Sequence, residues 1–139
     1  MSLIVRLIGP KCMPVVFPQV SSFISEALQY TDDCTLADAE HQLSVGNWAL
    51  LNIVDEEGAV KGAYVIAFNE SPTGKIAIIV SAAGKGAAGK EVFSQVEDLL
   101  KKFGATSVQA HTRESVARLY KRVGFTEKAI LVEKKLWLE

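Results

Sequence analysis

The apolar positions of the chain follow two spacings, one typical of helices and one typical of strands. The clearest helix is predicted just before Gly104, where apolar residues recur every three to four positions and the glycine can end the helix. Another helix is predicted between Thr35, which can cap it with Asp38, and Gly46. Pro18 is expected in the first turn of an earlier helix, where proline is favourable. The apolar positions are Val92, Phe93, Val96, Leu99, Leu100 and Phe103 in the clearest helix, and Val20, Phe23, Ile24, Ala27 and Leu28 in the earliest one.

Strand-like runs lie before, between and after these helices. Asp55, Glu56, Glu57 and Gly58 form a hairpin signal between two of the runs. A fourth helix is predicted from Thr112, which can cap it, to Gly124. The order β-α-α-β-β-β-α-β-α-β indicates a mixed α+β fold, with a mostly antiparallel sheet and helices on both faces. The strands are predicted at residues 3–8, 47–54, 59–68, 75–81, 106–110 and 128–138, and the fourth helix has Val116, Leu119, Tyr120 and Val123 on its apolar face.

Composition narrows the functional classes. With 139 residues, we expect one domain over 1–139. The net charge of −1 gives no broad basic field, so no nucleic-acid partner is expected. Cys12 and Cys34 match no metal spacing and fit a reducing compartment, so we expect a cytoplasmic protein without a metal. Because its apolar runs are short, no membrane span is expected.

The segment 76–103 holds the most informative motif. An apolar strand-like run, IAIIVS, is followed by a glycine loop, AAGKGAAGK, and then by the helix EVFSQVEDLLKKF. The first N–H groups of a helix have no partner within the helix, and the positive end of the helix dipole lies beside them. The segment therefore predicts an anion site, most often one for phosphate.

Two common phosphate-binding motifs overlap in this loop, and neither fits the rest of the chain. A GxGxxG pattern is typical of dinucleotide folds, but too little sequence follows it for a doubly wound sheet. A GxxxxGK pattern is typical of P-loops, but Glu91 stands where Ser or Thr would hold magnesium. Both patterns use the residues Gly84, Lys85, Gly86, Ala87, Ala88, Gly89 and, for the second, Lys90.

A third interpretation explains more of the chain. The order strand, glycine loop, long helix, strand and short helix, followed by Leu119, Tyr120, Gly124 and Phe125, resembles the GCN5-related N-acetyltransferase (GNAT) family. In that family a similar loop binds the pyrophosphate of acetyl-CoA, and a later helix carries a Leu-Tyr-x-x-x-Gly-Phe signature. The resemblance runs from Leu3 to Leu138 and implies the acyl-CoA N-acyltransferase fold.

The resemblance implies acetyl-CoA as the cofactor. It places the pantetheine arm along the strand before the loop, the pyrophosphate on the loop, and a positive charge from Lys85 or Lys90 beside it. Arg113, where the family often has asparagine, would contact a phosphate of CoA or face solvent. The cofactor-binding residues expected on this basis are Val80, Ser81, Gly84, Lys85, Gly86, Ala87, Ala88, Gly89, Lys90 and Arg113.

The resemblance also suggests catalytic roles. Tyr120 matches the tyrosine that protonates the leaving sulfur in many members, although the same tyrosine could simply pack on the apolar face of its helix. His111 follows the fifth predicted strand and is the candidate base, with a solvent-facing or structural role as its alternative. The expected activity is transfer of an acetyl group to a primary amine of a small molecule or a protein.

Two departures from the family pattern point to an alternative. The Arg or Gln usual at the loop entrance is replaced by Ala83 or Gly84, and the sequence after Phe125 suffices for one strand where the family usually has two. The alternative is therefore a catalytically degenerate GNAT-like binding or assembly module, similar to those that bacteriophages encode. A missing last strand could also be contributed by a neighbouring subunit, as in a homodimer.

Overall fold

A computed structural model describes residues 2–30, 33–112 and 114–136. The elements alternate much as the hydrophobic pattern predicts, with a short 3-10 turn before the first helix. They are β1 (Ile4–Ile8), α1 (Met13–Leu28), α2 (Leu36–Ser44), β2 (Ala49–Val54), β3 (Val60–Ser71), β4 (Gly74–Gly84), α3 (Lys90–Lys102), β5 (Ala105–Ala110) and α4 (Glu114–Lys121).

The five strands form one sheet in the order β1-β2-β3-β4-β5. The first four strands are antiparallel, and β5 lies parallel to β4 because α3 carries the chain back across the sheet. One face packs against α1 and α2 and the other against α3 and α4, and each face has its own apolar core. The expected mixed α+β fold, with helices on both faces of a mostly antiparallel sheet, is confirmed.

The capping signals in the sequence form as predicted. The Thr35 side chain accepts the Asp38 N–H at 3.1 Å, and the Asp38 carboxylate accepts the Thr35 N–H at 3.0 Å. Both bonds satisfy N–H groups that the first turn of α2 leaves free. In the hairpin between β2 and β3, Asp55 accepts the N–H groups of Glu57 and Ala59, both at 2.9 Å.

The prediction that Pro18 lies in the first turn of its helix is wrong. The helix begins five residues earlier, at Met13, because its buried stripe extends back through Phe17 and Met13. Pro18 and Pro14 are both exposed, so water can reach the carbonyl group that Pro18 leaves without a donor. No helix in the described ranges is long and apolar enough to cross a membrane.

Two strands in the second half of the chain, β4 and the one predicted at 128–138, also differ from expectation. β4 is predicted to end at Ser81 but continues to Gly84, because Ala82, Ala83 and Gly84 pair with β3. The strand predicted at 128–138 is not observed in its described part, since residues 125–136 form neither helix nor strand. Residues 137 and 138 lie outside the described residues.

The two edges of the sheet are treated differently. At the β1 edge, the Gln95 side chain of α3 donates to the Leu3 carbonyl and accepts the Val5 N–H, both at 2.9 Å. A single amide thus occupies one C=O and one N–H that a neighbouring strand would use at this end of β1. At the other edge, β5 pairs only with β4 in the part of the chain that the structure describes.

Candidate active site

A gap opens between β4 and β5 halfway along β4. The two strands pair as far as Ile79 and Ala110, where β5 ends. From Val80 to Gly84, the side of β4 that faces away from β3 has no strand partner among the described residues. Its backbone N–H and C=O groups are therefore available to a ligand in the gap.

A β-bulge lies at the point where the gap begins. Ile79 pairs with Ile66 and Ser81 with Val65, so Val80 is an extra residue on β4. Ser81 shares the face of Val65, which packs under α1 and α2. The Ser81 side chain is buried, and its hydroxyl has no hydrogen-bond partner among the described residues. Because a β-bulge bends the strand that carries it, the extra residue Val80 changes the direction of the β4 backbone at the start of the gap.

The glycine loop joins the end of β4 to an uncapped helix. No side chain caps the N-terminus of α3, and the first N–H that bonds back is that of Phe93, to the Gly89 carbonyl at 2.9 Å. Within the described chain, the N–H groups of Lys90, Glu91 and Val92 have no acceptor. Three free donors at a positive helix end are the arrangement that the predicted anion site requires.

Part of the loop serves the fold. The buried Ala87 carbonyl accepts a hydrogen bond from the Tyr64 hydroxyl at 2.5 Å, and the Ala87 N–H donates to the Gly84 carbonyl at 3.2 Å. The Gly89 N–H is likewise bonded to the Gly86 carbonyl at 3.0 Å. Of the predicted cofactor-binding residues, Ala87 and Gly89 thus already use their N–H groups inside the loop.

Positively charged side chains lie near the start of α3 in the loop, in the first turn of the helix and in the segment after α4. Lys85 and Lys90 are exposed in the loop and the first turn of α3. A groove of about 250 Å³ is lined by Lys90 and other residues of α3 and by Arg122 and Val123, which follow α4. Glu97 also lines this groove. Arg122 is not among the residues predicted for the site, although it stands inside the Leu-Tyr-x-x-x-Gly-Phe stretch, which was the available signal.

Tyr120 belongs to a row of aromatic rings that links the loop to α4. Its ring lies 4.8 Å from that of Phe125, which lies 5.3 Å from Phe93, and Phe93 lies 6.5 Å from Tyr64. Burial raises the pKa of Tyr120 to about 12. Burial, and secondarily Tyr120, raises the pKa of Tyr64 as well. The Tyr120 hydroxyl donates no hydrogen bond within the described residues, whereas that of Tyr64 is committed to Ala87.

The raised pKa of Tyr120 predicts loss of stability in alkaline solution. The unfolded chain ionises this phenol near pH 10 and the folded chain near pH 12, so the unfolded state alone loses the proton in between. The stabilisation is complete below pH 10 and disappears as the pH rises through 12. At about 1.4 kcal/mol per unit, Tyr120 accounts for roughly 2–3 kcal/mol. Urea denaturation from pH 8 to 12 should show this fall.

The matched control for the alkaline effect is Tyr120→Phe. The variant should lose stability less steeply than the parent above pH 10, with Tyr64 still contributing in the same direction. Equal slopes for the two proteins would contradict the burial of this phenol.

The structure places His111 directly after β5, at the mouth of the gap, with its side chain exposed. Val80, Ser81 and Gly84 lie along the free part of β4. Gly86 and Ala88 are exposed in the loop. Arg113 lies outside the described residues. The fold thus brings the strand, loop and helix candidates to one end of the sheet.

Comparison with solved structures identifies the class of fold. The chain is similar to an aminoglycoside acetyltransferase, meta-AAC0020, from an uncultured soil metagenomic sample, with TM-score 0.73 and 13% identity over 99% of this chain and 97% of the other. It is similar to a GCN5-related N-acetyltransferase from Ralstonia eutropha JMP134, with TM-score 0.68 and 16% identity over 96% and 99%. It is also similar to a ribosomal-protein-alanine N-acetyltransferase from Brucella melitensis biovar Abortus 2308, with TM-score 0.67 and 14% identity over 96% and 100%.

The chain therefore has the GCN5-related N-acetyltransferase fold, as the sequence resemblance implied. The likeness covers almost the full length of both partners in each comparison. No family model and no curated protein sequence matches the chain. The assignment therefore rests on the similarity of the structures and not on sequence identity, and it concerns the fold.

Proposed function

We propose that the protein is an N-acetyltransferase that moves an acetyl group from acetyl-CoA to a primary amine of a small molecule or a protein. The observation that carries this proposal is the gap between β4 and β5, which opens after Ile79 and Ala110 beside the uncapped start of α3. A free strand edge next to an anion site suits a ligand with amide groups at one end and phosphates at the other. The two free cysteines fit action in the reducing cytoplasm.

The residues present fit the cofactor. The free N–H groups of Lys90, Glu91 and Val92 can bind a diphosphate, and the side chains of Lys85 and Lys90 can neutralise it. The unpaired side of β4 offers backbone partners to the two amide groups of a pantetheine arm. Acetyl-CoA would supply the acetyl group as an activated thioester.

The proton transfers follow from the bonds that change. The C–N bond of the new amide forms, the C–S bond of the thioester breaks, and a proton from the amine must finally reach the sulfur. The Tyr120 hydroxyl has no hydrogen bond within the described residues and stays protonated at neutral pH, so it can donate a hydrogen bond, and then a proton, to the sulfur. His111, exposed at the mouth of the gap, is the proposed base for the amine.

The raised pKa of Tyr120 refines this role. A phenol with a pKa of about 12 is a weaker acid than a free tyrosine, so complete transfer to a thiolate of pKa near 8–9 is uphill by several kcal/mol. Its main contribution is then a hydrogen bond that stabilises charge as it develops on the sulfur. The proton that the sulfur finally receives comes from the amine, so Tyr120 is protonated at the end of the turnover.

Calorimetric titration with acetyl-CoA and CoA tests the proposal. Both ligands should bind, and Lys85→Ala combined with Lys90→Ala should weaken binding about tenfold, since two charges beside a diphosphate are lost. Lys101→Ala combined with Lys102→Ala is the matched control, because it removes two exposed lysines from the opposite end of the same helix. This control should bind as the parent does.

Absence of binding at millimolar acetyl-CoA would reject the proposal that the protein is an acetyl-CoA-dependent enzyme. Binding without turnover of any amine would favour the second candidate, a degenerate binding module. Two features support that candidate: Ala83 stands at the loop entrance, and the carboxylates of Glu91 and Glu97 lie near the anion site and the groove. Turnover assays with a panel of primary amines separate the two.

A further inference from the structure

A second groove lies at the end of the sheet away from the glycine loop. Its volume is about 470 Å³, which is within the range of pockets that hold small molecules. Lys75, at the start of β4, lines this groove, whereas the glycine loop follows Gly84 at the end of the same strand. At about 3.3 Å per residue, roughly 30 Å of strand separate the two residues. The groove is therefore distinct from the candidate active site.

The groove exists because α3 crosses its face of the sheet obliquely. In its second turn the Gln95 side chain is bonded to β1, whereas at its end Phe103 packs on Phe68 of β3, with 5.1 Å between the ring centroids. The helix thus leaves uncovered the corner where β1 ends and β2 begins. Leu7 and Leu51 pair across these two strands, yet Leu51 is fully buried and Leu7 is 46% exposed.

Most side chains that line the groove are apolar, and three of them are aromatic. The rings of Trp48, Phe68 and Phe103 are only partly buried, so each keeps surface that a ligand can cover. A flat ring in the groove would gain from stacking on these rings as well as from leaving water. The apolar lining includes Leu7, Pro10, Trp48, Ala49, Phe68 and Phe103.

Lys75 is the charged side chain in this apolar lining, and its ammonium group is held in place. Its Nζ donates to the Phe103 carbonyl at 3.0 Å and lies 5.2 Å from the centroid of the Phe68 ring. The Glu70 carboxylate, 79% exposed, is 4.0 Å away, which is too far for a hydrogen bond. Because an ammonium group has three N–H donors, two of them have no acceptor among the described residues.

We propose that this groove binds a small aromatic carboxylate, whose ring packs on Phe68, Phe103 and Trp48 while its carboxylate accepts from the Lys75 ammonium. Since the Phe103 carbonyl already fixes that ammonium, binding requires little further ordering of the lysine. An uncharged ligand of the same shape would cover the two donors without giving them a carboxylate. The groove therefore selects for the negative charge. This binding does not depend on acetyl transfer.

Amide NMR titration with naphthoate and with its uncharged amide, naphthamide, tests the site. Naphthoate should bind with a dissociation constant below about 1 mM and shift the amide signals of Asn47, Lys75 and Phe103. Naphthamide should bind about tenfold more weakly. Lys75→Met keeps an apolar side chain but removes the charge, so it should weaken naphthoate about tenfold and leave naphthamide unchanged. Lys61→Met is the matched control, because Lys61 is a partly exposed lysine outside the groove, and it should bind both probes as the parent does.

A second variant tests the site without breaking the bond between Lys75 and Phe103. Leu7→Asp places a negative charge on an exposed position of the groove, so it should weaken naphthoate more than naphthamide. Three results would each overturn the proposal: signal shifts confined to the glycine loop or absent, equal affinity of the parent for the two probes, or unchanged naphthoate affinity in both Lys75→Met and Leu7→Asp.

Discussion

Alanine at Gly84 should lower the free energy of unfolding by about 3–4 kcal/mol, which is a large effect for one methyl group. Gly84 has a φ of +119°, and a Cβ there would lie 2.3 Å from the Lys61 carbonyl oxygen and 2.4 Å from the Gly62 Cα. Both are backbone atoms of β3, so they cannot rotate away. Urea denaturation of the two proteins gives the difference directly.

Gly58→Ala is the control for the conformational part of this effect. Gly58 has a φ of +86°, but a Cβ there meets nothing within 4 Å. Its substitution should cost only about 1–2 kcal/mol, because strain is present without a clash. If Gly84→Ala were no worse than Gly58→Ala, the close approach of β3 and β4 would be refuted. The expected result would show that Gly84 is required mainly for the close pairing of β3 and β4, in addition to its place in the loop.

Removing the hydroxyl of Tyr120 should lower kcat about 100-fold, with KM for acetyl-CoA changed less than about twofold. The reason is that Tyr120→Phe deletes a hydroxyl that has no hydrogen bond among the described residues, while the ring continues to pack on Phe125. Because the phenol has a pKa of about 12, the pH profile should keep its shape up to about pH 10 in both proteins. Steady-state kinetics with a responsive amine measures both quantities.

Tyr64→Phe is the matched substitution for this test. It also deletes a buried phenol hydroxyl, but that hydroxyl holds the Ala87 carbonyl of the loop. The variant should lose about 1–3 kcal/mol of stability, because a buried carbonyl is left unsatisfied, and it should raise KM more than it lowers kcat. An unchanged kcat in Tyr120→Phe would leave Tyr120 with a packing role only.

Local signals in the sequence predicted the helices well. Thr35 and Asp38 form a capping box within four residues, and the period of Val92, Phe93 and Val96 depends only on neighbours along the chain. The prediction from Pro18 was wrong because the preference of proline for the first turn was outweighed by the burial of Met13 and Phe17, which extends the helix towards its N-terminus. That burial depends on packing against the sheet, which local preferences do not contain.

Features that depend on strand pairing were less visible. The end of β4 at Gly84 is set by Gly62 on β3, 22 positions away, and the bulge at Val80 by the register of Val65 and Ile66. The predicted strand at 128–138 has the right composition for a strand, but its partner is not supplied by the described part of its own chain. The composition of a segment predicts that it can form a strand, but it does not predict which strand it pairs with.

The candidate site was predictable in place but not in detail. The glycine loop does lie at an uncapped helix start, as the alternation of strand, glycine and helix indicates. The sequence could not show that Ala87 is held by Tyr64, because the two are joined only through the folded sheet. The same holds for Arg122, which lines the same groove as Lys90 although the two residues are far apart in the sequence. The roles of Tyr120 and His111 remain predictions for kinetics to test.

The amide of Gln95 also limits how far copies of this chain can assemble. A sheet with two open edges can recruit copies from both sides and grow into a fibre, whereas a sheet with one blocked edge stops once its other edge is filled. Because the Leu3 carbonyl and the Val5 N–H are already bonded to Gln95, this end of β1 has no free pair of backbone groups for a strand of another copy. Gln95→Leu would free both backbone groups, and it is therefore the variant in which pairing through the β1 edge, and with it insoluble protein, is expected.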